Sequence, residues 1–141
     1  MDTNARKNRV GKNMQLTISK IFKKNSINFK EEVEISKFPE ITSMGVDLKI
    51  FDFVIEKEKI TYLIEVNFYN SGGSKLNEVA RACTDIAPKI DKYDNYKFVW
   101  ITDGQGWLSA KNKLEEAFNN IPHLYNLNSL ESFLQKVKNE I

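Results

Sequence analysis

The chain has 141 residues, with 21 basic and 19 acidic side chains and a net charge of +2. That length suits a single domain, 1–141, with a real core, and 41% hydrophobic and 11% aromatic content exclude a disordered chain. One cysteine and one histidine exclude an internal disulfide and a thiolate metal centre and disfavour a zinc site or a histidine-based triad, while the near-neutral charge allows a nucleic-acid partner only through local clusters of positive charge.

From about Asn4 to Lys24 the apolar residues Val10, Met14, Leu16, Ile18, Ile21 and Phe22 give a loose helical stripe. From Ile27 to Ile35, Ile, Phe, Val and Ile alternate with polar residues, which predicts a strand with one wet face. Phe38 to Asp47, with Pro39 and Gly45, reads as a loop. Phe51 to Asn67 reads as two strands joined by the polar turn Glu56 to Lys59, an antiparallel hairpin. Asn70 to Ser74 is a glycine turn, and Ser74 is placed to cap a helix with Leu76, Val79, Ala80, Cys83, Ile86, Ala87 and Ile90 on one face. Pro88 should end or kink that helix, and Cys83 reads as a small core residue. Lys97 to Thr102 is the continuous apolar run of a fully buried strand. Asp103 to Gly106 turns the chain into a helix from about Ser109 to Asn119, followed by a short strand around His123 to Leu127. Ser129 caps a last amphipathic helix. His123, beside Pro122, reads as structural, and Trp107 as core. No apolar run is long enough to cross a bilayer and there is no signal peptide, so the expectation is a soluble, cytoplasmic protein without a membrane partner. The order of elements predicts an α/β fold whose mixed sheet, antiparallel early and parallel late, is flanked by helices on both faces, with a right-handed crossover from Phe68 to Phe98.

The hairpin carries the strongest chemical signal, because each strand holds one acid inside an apolar run. Alternation puts Phe51, Phe53 and Ile55 on one face, and Asp52 with Val54 on the other. In the second strand, Glu65 and Asn67 share a face with Leu63 and Tyr69. An antiparallel pairing sets Asp52 and Glu65 side by side. Ionised carboxylates among apolar neighbours need a cation. A divalent metal and nearby lysines both fit that need.

Several strings narrow the reading: Arg6-Lys-Asn-Arg-Val-Gly11, Phe51-Asp-Phe-Val-Ile55, Ile64-Glu-Val-Asn-Phe-Tyr69, Gly73-Ser-Lys-Leu-Asn-Glu78 and Trp100-Ile-Thr-Asp-Gly-Gln-Gly-Trp107. Together with the element order they resemble the PD-(D/E)xK nuclease superfamily, and within it the C-terminal half of DpnII/MboI-type restriction endonucleases, which cleave unmethylated GATC sites in duplex DNA. The resemblance covers the whole chain, while those enzymes are about twice as long, so the chain is expected to be a fragment or a shortened relative lacking an N-terminal region. It implies a PD-(D/E)xK restriction-endonuclease-like core, double-stranded DNA as substrate, and a homodimer on a palindromic site.

The resemblance further implies that Asp52 and Glu65 hold Mg²⁺. Asn67 stands where the superfamily usually has Lys; it cannot supply charge or take up a proton, but it can hydrogen-bond the attacking water or a metal-bound water. Lys75 is placed to supply the missing charge, or to serve as a surface lysine or phosphate contact. Gln15 stands where many members have a metal-binding Glu in the first helix, so the site rests on two carboxylates plus carbonyls such as that of Val66. For DNA, the turn with Asn70, Ser71 and Ser74 suits a phosphate. The Asn70 and Asn77 amides could read base edges or serve as turn and cap residues. Arg6, Lys7, Arg9 and Lys12 form a basic cluster, suited to phosphates or simply to a solvated helix end. Two other functions fit the same residues: a nuclease fold that only binds DNA or protein, and a nuclease of other specificity, such as a repair or junction-resolving enzyme.

Overall fold

The computed structural model describes residues 3–42, 50–69, 74–109 and 111–140. Strands β1 (Lys30–Glu34), β2 (Ile50–Glu56), β3 (Thr61–Phe68), β4 (Tyr96–Asp103) and β5 (Leu124–Tyr125) form one sheet in the order β1-β2-β3-β4-β5. The first two pairings are antiparallel and the last two parallel, as the element order predicts. Helices α1 (Thr3–Lys24), α2 (Pro39–Thr42), α3 (Ser74–Asp91), α4 (Lys111–Asn120) and α5 (Leu130–Asn139) complete the fold, with 3-10 turns at Ile35–Lys37 and Gln105–Ser109.

Two cores lie on the two faces of the sheet. On one, α3 and α4 lay Leu76, Ala80, Cys83, Ile90 and Ala117 over Val54, Leu63, Phe98 and Trp100. On the other, α1 and α5 lay Met14, Ile18, Phe22, Phe133 and Val137 over Phe53, Ile55, Ile64, Val99 and Ile101. The β3–β4 pair is covered on both sides, which is why Phe98 to Ile101 reads as an unbroken apolar run; all four are fully buried.

The edge of the sheet departs from simple alternation. In the first strand region, Ile27 and Phe29 belong to the α1/α5 core, but Val33 and Ile35 belong to the α3/α4 core. In β2, Phe53 and Ile55 belong to the α1/α5 core and Phe51 to the other, so Phe51 does not share their face as alternation predicts. Both reversals occur at one level of the sheet. The pairs Glu31↔Phe53 and Val33↔Phe51 bracket Glu32 and Asp52, and Glu32 has φ 52°. A left-handed residue in a strand rotates the chain, so the side chains after it change layers.

Other departures have local causes. Pro88 does not end α3, which runs on to Asp91 because Ala87 and Ile90, fully buried, hold the last turn in the core. The loop after Phe38 contains the single turn α2, with Ile41 fully buried; residues 43–49 lie outside the described set. Ser129 sits at the N-cap of α5 without a side-chain cap bond, and its Oγ accepts instead from the Asn126 N–H at 2.9 Å. Cys83 and Trp107 are core residues, as expected. Among the described residues no helix is long and apolar enough to cross a membrane.

The ends of β3 and β4 are tied by a tight turn. Tyr69 N–H donates to the Asp103 carbonyl at 3.0 Å, and Gly106 N–H donates to the Tyr69 carbonyl at 2.9 Å. Gly104 has φ 119°, and a Cβ there would lie 2.0 Å from the Tyr69 carbonyl oxygen. Gly104→Ala is therefore expected to cost at least ~2 kcal/mol in urea unfolding, from strained φ and the clash together; a loss within error of zero would show that the turn relaxes freely.

His123 is 9% exposed and its Nδ1 lies 3.2 Å from the Tyr125 hydroxyl. Burial, reinforced by Lys136 and Lys97, lowers its pKa to about 4. The folded state thus holds a neutral imidazole, while the unfolded chain takes a proton near pH 6.5. Stability present above that pH is lost as pH falls to about 4, by roughly 2–3 kcal/mol. Denaturation across pH 7 to 4 should show this extra slope in the native protein and not in His123→Gln; equal slopes would exclude His123 as the titrating group.

Candidate functional site

The β2–β3 backbone pairing runs from Glu56↔Thr61 to Phe53↔Ile64, so the same register carries Asp52 to the level of Glu65. There the β2–β3 ladder ends, and a side chain takes over from it: Asp52 Oδ2 accepts the Val66 N–H at 2.7 Å. The charge-assisted bond satisfies a backbone donor and fixes the carboxylate. Asp52 is half-buried, as are Glu65, Val66 and Asn67, where β3 emerges from its fully buried middle.

Glu65 points to the α3/α4 face, and its Oε1 is shielded from solvent. The Tyr69 hydroxyl on the same face has a raised pKa, first through burial and then through Cys83 and the negative charge of Glu65. The acid therefore projects into the space between the end of β3 and α3.

Asn67 follows two residues on, and its Oδ1 accepts the Trp100 indole N–H at 2.7 Å. Trp100 is fully buried. Its ring packs edge-on against Trp107 at 5.6 Å, and Trp107 in turn donates its indole N–H to Thr102 Oγ1 at 2.9 Å and meets Tyr69 at 6.1 Å. The amide at the mouth of the site thus stands on a braced aromatic floor.

Among the described residues no group of three or more His, Cys, Asp or Glu is placed to hold a metal ion. What the structure brings together is a pair of acids, Asp52 and Glu65, with Asn67 beside them. Two half-buried carboxylates, one held by a backbone N–H, suit a hard cation that completes its shell with waters. The other anticipated residues are more scattered. Gln15 is half-buried on α1, whose Met14, Ile18 and Phe22 pack into the core opposite Glu65. Asn77 is exposed on α3 and lines an open groove of about 320 Å³ with Arg81, Thr84, Asp85 and Glu116. Asn70 and Ser71 lie outside the described residues; the backbones of Arg6, Lys7, Arg9 and Lys12 belong to α1 and those of Ser74 and Lys75 to α3, but their side chains lie outside that set.

A mixed five-stranded sheet with helices on both faces, carrying an acid in each of two adjacent strands, defines a restriction-endonuclease-like α/β domain. The DpnII restriction endonuclease family model matches residues 1–136, and the chain belongs to that family. It is 56% identical over 140 residues to the type II restriction enzyme MboI of Moraxella bovis, covering 99% of this chain and 50% of that enzyme. It is 45% identical over 148 residues to the type II restriction enzyme DpnII of Streptococcus pneumoniae, covering 96% of this chain and 51% of that enzyme. With the type II restriction enzyme MjaIII of Methanocaldococcus jannaschii it shares 38% identity over 148 residues, covering 96% and 51%. The chain spans about half the length of the curated relatives it matches. No solved structure matches it.

Two features escaped the sequence reading. Trp100 sits in an apolar run that signals only burial, and its bond to Asn67 appears only once the parallel register is known, with Glu65↔Trp100 and Asn67↔Thr102. The layer change at Glu32 and Asp52 has no local signature, since Glu is not a residue chosen for positive φ.

The Asp52–Val66 bond makes a stability prediction. Asp52→Ala strands a partly buried N–H and should cost about 1–3 kcal/mol in urea unfolding. Asp52→Asn keeps an acceptor and should cost clearly less. Equal losses would mean that the bond adds nothing to the fold.

Proposed function

We propose that this chain is a Mg²⁺-dependent restriction endonuclease module that hydrolyses phosphodiester bonds in double-stranded DNA at GATC sites. The observation that carries the reading is Asp52, one residue past the last β2–β3 pair and bonded by the Val66 N–H, with Glu65 and Asn67 flanking Val66 on β3. Membership of the DpnII restriction endonuclease family supports it, as do relatives named as type II restriction enzymes.

In this reading Asp52 and Glu65 hold the cation, helped by carbonyls such as that of Val66. Bound there, Mg²⁺ would lower the pKa of a water and offset charge developing on the scissile phosphate. The chain's own residues do the rest. The backbone bond to Val66 keeps Asp52 in place without an entropic search. Asn67 orients the attacking water by hydrogen bonding and takes no proton. Water oxygen adds to phosphorus, losing a proton to bulk solvent, as the P–O ester bond breaks, and the departing oxygen is protonated from solvent. Lys75, at the start of α3, supplies positive charge that the amide lacks. Asn70, Ser71, Ser74, Asn77, Arg6, Lys7 and Arg9 contact DNA, with Gln15 an accessory to the site. Residues 1–141 act as one domain, and the palindromic target is met by a two-fold homodimer.

A second reading is a DNA- or protein-binding module without turnover. It is favoured by the amide in place of a lysine and by a site of only two carboxylates among the described residues. Digestion of methylated and unmethylated GATC plasmid with Mg²⁺ separates the two. The nuclease reading expects cleavage of unmethylated DNA that falls at least ~10²-fold in Asp52→Asn and Glu65→Gln, with folding retained. Cleavage undiminished in both variants would remove the site assignment. Salt-sensitive band shifts with Ca²⁺ and no cutting with Mg²⁺ would favour the binding module, and cutting away from GATC would indicate another specificity.

A further inference from the structure

An indole N–H is a donor only, so the group facing it must be an acceptor. The 2.7 Å contact from Trp100 Nε1 to Asn67 Oδ1 therefore decides which way the Asn67 amide is turned: oxygen toward the indole, NH₂ away from it. The indole has little freedom to yield. Trp100 is fully buried, Trp107 packs edge-on against it at 5.6 Å, and Thr102 holds the Trp107 N–H at 2.9 Å. Asn67 and Glu65 are two residues apart on one half-buried strand face, so the NH₂ is presented beside the carboxylate pair.

We propose that Trp100 is a positioning residue for the site: its N–H holds the Asn67 oxygen toward the indole and turns the amide NH₂ to the site, where it donates to a phosphate or water oxygen. The assignment rests on the nuclease reading above. It goes further by removing one role from Asn67. With its oxygen turned to the fully buried indole of Trp100, the amide faces the site with its NH₂, and so presents no acceptor there for the attacking water's proton. It stands in for a lysine ammonium in hydrogen bonding though not in charge, since the group it turns to the site is, like an ammonium, an N–H donor. A donor of this kind, fixed before substrate arrives, is the arrangement that stabilises charge developing on oxygen.

The test replaces the indole N–H with the least change of shape: Trp100→3-benzothienylalanine, in which sulfur takes the place of N–H. Single-turnover cleavage of a GATC duplex with Mg²⁺ should fall by about 10- to 100-fold, while DNA affinity in Ca²⁺ stays within about twofold and the thermal midpoint changes little. In an Asn67→Ala background the same replacement should cause no further loss of rate, because its effect passes through the amide. Additive losses would make Trp100 a packing residue and overturn the proposal. A second readout is independent of turnover. By NMR, the Asn67 side-chain NH₂ signals should shift on adding GATC duplex with Ca²⁺, and that response should disappear in the benzothienyl variant. An unresponsive Asn67 NH₂ beside responsive Asp52 and Glu65 signals would refute the donor role and leave the nuclease reading standing. If no signal of the site responds to DNA and Ca²⁺, and Mg²⁺ supports no cleavage, the nuclease reading fails and the proposal with it.

Discussion

The parallel pairing of β3 with β4 is the constraint around which the molecule is organised. Eight residues of each strand stay in register from Thr61↔Tyr96 to Phe68↔Asp103. A parallel pair inside a sheet must be covered on both faces, so this register sets both cores at once: Leu63, Phe98 and Trp100 toward α3 and α4, and Ile64, Val99 and Ile101 toward α1 and α5. It also decides where chemistry can sit. β3 is fully buried from Tyr62 to Ile64 and only half-buried from Glu65 onward, so polar side chains gain access at its carboxyl end. That end is where open α/β sheets place their ligands. The turn at Gly104 closes the register by tying Tyr69 to the last residue of β4.

The first acid depends on a different device. At the edge of the sheet the chain changes layers at Glu32 and Asp52, and the positive φ of Glu32 carries a cost of about 1–3 kcal/mol. Had β2 kept a regular alternation, Phe51 would lie in the α1/α5 core with Phe53. Instead Phe51 joins the α3/α4 core, and the Asp52 carboxylate takes the Val66 N–H. The distortion thus anchors an acid by the backbone of the very strand that bears the second acid. The burial of Phe51, Val33 and Ile35 in one core is the compensation that holds the distorted edge in place.

Much of this was legible from the residues alone, for identifiable reasons. Hydrophobic period and turn chemistry report on single elements, so the two-sided burial of β4, the hairpin and the amphipathic α3 could be read directly. Strand alternation failed at Phe51 because both strands reverse layers where Glu32 lies level with Asp52, and nothing local announces it. Pro88 was a poor helix terminator because Ile90 beyond it had a core to enter. The Asn67–Trp100 bond could not be read because it joins residues 33 apart across a parallel register, which depends on a crossover and not on any local pattern.

The site therefore divides its needs between two kinds of group. Hydrogen-bond geometry is built in: the Val66 N–H fixes one acid, and the Trp100 N–H fixes the amide. Positive charge is not, because Asn67 is neutral and the described neighbours that brace it are aromatic rings and a threonine. Two half-buried carboxylates lose hydration, a cost that the Val66 N–H offsets in part for Asp52 and that a bound cation would offset further. In the nuclease reading that cation is the metal, with Lys75 entering beside it. A neutral donor at Asn67 then has a physical advantage: unlike an ammonium, it does not compete with the metal for the carboxylates. Its cost is that charge stabilisation falls on the metal and on the chain's own basic side chains, Lys75 among them.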